Sequence, residues 1–151
     1  MTEKLLRPMR TRALPARWLI RLLGAALAAA AYLLCLPWDL RNRPTTPGAT
    51  EETTPVTAVG VVFLGLALLL LAAYFGHWDR LGWALLLVAA PPAALMHVSF
   101  RAHPAPDASI WPLTWGFFTL LIAAGVLTTA AVARALRGEW AREDLNLTNP
   151  L

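Results

Sequence analysis

Long stretches with almost no polar side chain alternate along this chain with short stretches that carry nearly all of its charge. The apolar stretches are Trp18 to Leu36, interrupted only by Arg21, then Val56 to Phe75, Leu81 to about Phe100, and Ile110 to Ala133. Each approaches the ~20 residues that a helix needs to cross ~30 Å of hydrocarbon. They are apolar all round rather than along one stripe, unlike the surface helices of soluble domains. They are rich in Leu and Ala and lack period-two alternation, so outer-membrane barrel strands are excluded. A helix satisfies its own backbone hydrogen bonds in lipid. The pattern therefore predicts an all-α polytopic membrane protein, with four transmembrane helices in an antiparallel bundle.

The expected segments are a basic arm over 1–17 and spans over 18–37, 56–76, 81–100 and 110–134. Loops over 38–55 and 101–109 lie on one side, and a turn over 77–80 and a tail over 135–151 on the other. Ala28 to Ala30 resembles a signal-peptidase site, but the apolar run continues through Leu36, longer than a usual signal core, so the first run is expected to be retained. The loop from Trp38 to Pro55 is dense in Pro, Thr and Gly and is expected to be mobile. Asp79-Arg80 makes a tight turn, which should leave the second and third helices as antiparallel neighbours.

Basic residues set the orientation. Lys4, Arg7, Arg10, Arg12, Arg17, Arg21, Arg80, Arg134, Arg137 and Arg142 fall on one side, against Arg41, Arg43 and Arg101 on the other. Ten against three points to both termini in the cytoplasm. Tryptophan supports the same spans: Trp18, Trp38, Trp78, Trp83, Trp111 and Trp115 lie near helix ends and Trp140 just past the last one. Indole rings favour the headgroup level, so these residues, with a snorkelling Arg21, are expected to be interface anchors.

Composition sharpens the picture in three places. With 58% hydrophobic and 15% charged residues, the chain departs in both directions from soluble domains, at roughly 45–50% and about 25%. The net charge of +4 belongs to the segment up to Arg21, where six basic residues face only Glu3. Arg7, Arg10, Arg12 and Arg17 are therefore expected to contact anionic lipid headgroups, whereas nucleic-acid binding is not expected because no binding module accompanies the charge. Twelve Arg against one Lys, with abundant Ala, Leu, Gly and Pro, fits a GC-rich bacterial genome and hence a bacterial plasma (inner) membrane.

Candidate chemistry is sparse. No Asp or Glu lies inside a run, which argues against proton-coupled export. Cys35 is the only cysteine, so disulfides and thiolate metal clusters within the chain are excluded. Met96, His97 and His103 could approach one another, and Met with His suits copper, but two histidines six apart across a loop do not define a site, so no metal or cofactor is expected. Pro91-Pro92 falls mid-span in the third helix and should kink it. Small residues offer packing faces: Gly24, Ala28 and Ala31 on the first helix; Gly116, Thr119 and Ala123, with Gly125 and Thr129, on the fourth. On the second helix, Gly60 and Gly65 are five apart and form no GxxxG motif, and Leu66 to Leu71 is expected to face lipid.

These features predict a non-enzymatic membrane component that acts through interactions, as a homo-oligomer or as an accessory subunit of a membrane complex. The alternative is a subunit of an oligomeric transporter or channel, with the Pro91-Pro92 kink and His97 lining a path or forming a hinge.

Overall fold

The chain's structure, a computed structural model, describes residues 13–48, 51–103 and 110–148, with side chains as far as 138 in the last stretch. It is mostly helical, and four helices are long and apolar enough to cross a membrane. Helix α1 runs Leu14–Cys35. It starts earlier than the apolar run because Pro15 occupies the first turn, where a missing N–H costs nothing and the fixed φ favours the helix. It ends as Leu36, preceding Pro37, turns extended. Helix α2 runs Ala58–Trp78 and is capped by Thr57, whose hydroxyl accepts from the Gly60 N–H at 3.1 Å.

Between α1 and α2 lies a short hairpin, β1 Arg43–Pro44 and β2 Glu52–Thr53, paired antiparallel with Arg43 opposite Thr53. Gly48 turns it at φ 86°. Asp39 braces its base, accepting from the Arg41 backbone and guanidinium and from Arg43. This polar stretch thus has local order that its composition did not suggest.

Helix α3, Leu81–Ala102, is continuous but not uniform. An α-turn over Leu81–Ala84 leads into a π-helical turn over Leu85–Ala89, then a regular helix over Ala90–Ala102. The wide turn sits directly before Pro91-Pro92. A proline ring clashes with the carbonyl four residues back, here those of Leu87 and Val88, and a wide turn gives them room. The prolines are accommodated by local π geometry rather than by a break in the helix.

Helix α4, Trp111–Thr148, has 38 residues, of which Trp111–Gly138 are apolar enough to span. At 1.5 Å per residue it is about 57 Å long, well beyond one hydrocarbon thickness. The helix therefore continues through most of the stretch expected as a tail.

Helices α2 and α3 each pack against both α1 and α4. The core joins Ala28 and Tyr32 of α1, Leu64, Leu68, Ala72 and Phe75 of α2, Ala84, Leu87, Val88 and Met96 of α3, and Val126 and Ala130 of α4. Leu68 is thus core, within a stretch expected to face lipid, while Leu66, Leu69 and Leu70 are exposed. On α1, Gly24 and Ala28 are buried as expected, and Tyr32 rather than Ala31 completes the row. A methyl at Gly24 would overlap the Phe75 ring.

The α4 expectation needs correction. A methyl at Gly116 or Gly125 would meet nothing within 4 Å, whereas the α2–α4 approach is made by Gly76 against the Ala130 backbone. Gly60 similarly lies against the Cys35 carbonyl at the α1–α2 junction. Helix α2 therefore uses two glycines sixteen residues apart, each for a different partner, which a search for one repeated motif overlooks.

Candidate functional site at the arginine-rich helix ends

The densest polar arrangement gathers around the turn joining α2 to α3. Arg21, about two turns into α1, donates from Nε to Asp79 Oδ2 at 2.9 Å and from Nη2 to Asp79 Oδ1 at 3.0 Å. The side chains are 11% and 4% exposed. Such a two-pronged pair combines charge with fixed geometry. The guanidinium also lies 3.8 Å from the Trp83 ring centroid and 5.6 Å from that of Trp18, and the two indoles meet edge to face at 5.6 Å. Three helices thereby enclose one cation: α1 supplies it, the end of α2 supplies the carboxylate, and the first turn of α3 supplies the aromatic face.

The end of α4 reaches the same turn. Arg137 donates to the His77 carbonyl at 2.8 Å and stands 5.6 Å from the Trp78 ring centroid. Arg134 donates to the Asp79 carbonyl at 3.5 Å, and His77 donates from Nδ1 to the Ala133 carbonyl at 3.2 Å. The two arginines meet carbonyls at the end of α2, where the helix dipole is negative. Arg80 is exposed and its N–H is held by Asp79 Oδ1 at 2.9 Å. Arg17 lies one turn outward from Arg21, its Nε buried with no acceptor among the described residues.

Arg21 was expected to be an anchor reaching for headgroups. The structure gives it a specific partner, Asp79. The signal lay in the sequence only as two separate features, a cation inside a run and an Asp in a turn, 58 positions apart.

At the other end, the Ser99 hydroxyl donates to the Trp38 carbonyl, tying α3 to the segment after α1. His97 sits among aromatics, 5.2 Å from the Trp115 and 5.6 Å from the Trp111 ring centroid. Trp115 also donates from its indole N–H to the Ala93 carbonyl at 2.9 Å. His103 points back to the Ser99 carbonyl through Nδ1 at 3.3 Å, and Met96 is buried in the core. Among the described residues, no three His, Cys, Asp or Glu side chains group to hold a metal. Pro92 is buried and Pro91 half-buried, one turn before the His97 cluster begins.

Outside the spans, Asp39 is held well below the ordinary carboxylate range, first by the Arg41 guanidinium and backbone hydrogen bonds and then by Arg43. Arg41 is raised in turn by Asp39. Lys4, Arg7, Arg10 and Arg12 of the basic arm lie outside the described residues, as does the Trp140 side chain. Compared with known proteins, the chain matches no family model, no curated protein and no solved structure.

Proposed function

We propose that this chain is a non-enzymatic inner-membrane component of a bacterium that acts through interactions, by self-association or as an accessory subunit. Its four helices alternate in direction as an antiparallel bundle, with both termini cytoplasmic. The observation that carries this reading is how its polar groups are used. Arg21, the charge that interrupts the first apolar run, is consumed by Asp79, and Arg134 and Arg137 cap the end of α2. The outer surface is left to exposed apolar residues, among them Leu113, Phe117, Leu120 and Leu121 of α4, which suit lipid or a neighbouring helix.

Contacts at the two ends support the alternation. The start of α1, the end of α2 and the start of α3 meet around Asp79, while Ser99 meets Trp38 at the opposite end. The ten-to-three distribution of basic residues supports the orientation. A phosphatase reporter active only in the periplasm is expected to stay silent when fused to either terminus; an active C-terminal fusion overturns the orientation. Purification in native-like lipid discs, with mass spectrometry of all co-purifying species, is expected to show a homo-oligomer or a stoichiometric partner. A lone monomer would count against this role.

One observation favours a second reading, an oligomeric transporter or channel subunit. The π-turn over Leu85–Ala89 followed by Pro91-Pro92 is a type of irregularity found often at functional sites. If it lines a path with His97, replacing both prolines by Ala changes flux. If the protein acts only by association, the same change leaves partner binding intact.

A further inference from the structure

We propose that Arg80, Arg134 and Arg137, gathered around the turn between α2 and α3, form a binding site for the phosphodiester headgroup of an anionic phospholipid. The proposal rests on the chain spanning a bilayer, but not on which end faces the cytoplasm, and it uses residues distinct from the arm.

Three observations converge on it. The first is placement. Arg134 and Arg137 are three apart on α4, hence neighbours on one face. They reach the carbonyls of Asp79 and His77, which flank the turn that Arg80 completes. The second is charge. Asp79, the carboxylate in this turn, has both oxygens engaged by Arg21. The ion pairs among the described residues include none of the three arginines. A guanidinium carries five N–H donors, and Arg134 and Arg137 each give one to a carbonyl, leaving forks suited to phosphate oxygens.

The third is depth. Arg137 stands over Trp78, and indoles favour the headgroup level. A phospholipid held at this depth meets the arginines with its phosphate while its acyl chains stay in the hydrocarbon, an arrangement that a free phosphate ion does not use. The opposite end differs: there a carboxylate, Asp39, pairs with both Arg41 and Arg43.

The test uses the full chain in discs of phosphatidylcholine, with short-chain phosphatidylglycerol as the titrated probe. R80Q, R134Q and R137Q are each expected to weaken its binding about five-fold, the effect of about one basic residue near the surface. R101Q, at the other end, should leave it unchanged, and neither inorganic phosphate nor short-chain phosphatidylcholine should compete. Wild-type binding by the triple variant overturns the site. Competition by inorganic phosphate assigns it to a free anion, and competition by phosphatidylcholine removes its headgroup selectivity; either result overturns the proposal. If a capping variant fails to fold, R80Q carries the test, because no bond from its side chain is present among the described residues. A chain that did not span a bilayer would fail earlier, by not incorporating into discs.

Discussion

At the residue scale, the pairing of Arg21 with Asp79 has the largest energetic consequence. Removing one partner of a buried ion pair strands the other charge, which costs roughly 3–5 kcal/mol, more than the pair's own net contribution. Asp79→Asn and Arg21→Gln are each expected to lower the thermal unfolding midpoint sharply in detergent or discs. The double change should cost clearly less than the sum of the two, because they share one contact; strict additivity would refute the coupling. Asp39 makes a different prediction. Its carboxyl titrates below its usual 3.8 because Arg41 and Arg43 favour the charged form. The bracing of the hairpin is thus fully present above pH 3.8 and fades as pH falls through the lowered value. An NMR titration should show this depression, and Arg41→Gln should return the midpoint toward 3.8. Neither pairing partner of Arg21 or Asp79 was legible from composition. Arg21 already had an explanation near a membrane interface, and Asp79 had one in a turn.

At the element scale, packing depends on where a side chain is missing. A methyl at Gly76 would run into the Ala130 backbone, which cannot move away as a side-chain tip can. Gly76→Ala is expected to destabilise by about 1–3 kcal/mol, as overpacking does. Gly125→Ala, where a methyl meets nothing, should be neutral or stabilising by up to about 1 kcal/mol, because alanine favours the helix. Unfolding midpoints of the two variants in the same detergent make the comparison, and equal effects would contradict the α2–α4 contact. The existence of four long apolar helices was readable from hydropathy. Helix α1 begins at Leu14, ahead of the apolar run at Trp18, with Pro15 in its first turn. The π-turn in α3 was not readable as such: paired prolines announce a disturbance, but not whether the helix bends, breaks or widens.

At the scale of the whole molecule, α2 and α3 each touch both remaining helices, and the polar contacts cluster at the two ends. The middle is held by small residues and close-packed Leu, Val, Phe and Met. In lipid the hydrophobic effect does not drive helices together, so van der Waals fit and a few polar ties must hold them. The end ties are therefore expected to fix which helices are neighbours. Charge-swapping Arg21→Asp with Asp79→Arg should recover part of the unfolding midpoint lost in either single variant; no recovery would mean that the Trp83 face, rather than the carboxylate, holds Arg21.

The sequence by itself determined that four segments can span a membrane, because a bilayer reads each stretch for its own length and polarity, a property of local composition. Only the tertiary structure decided which side of each helix meets another. Helix α2 is apolar on every side, and lipid and protein interior are equally apolar, so its sequence carries no stripe to set its rotation. That rotation is what brings Gly76 to Ala130, Gly60 to Cys35 and Asp79 to Arg21, contacts between residues far apart in the chain whose geometry exists only once the helices are packed.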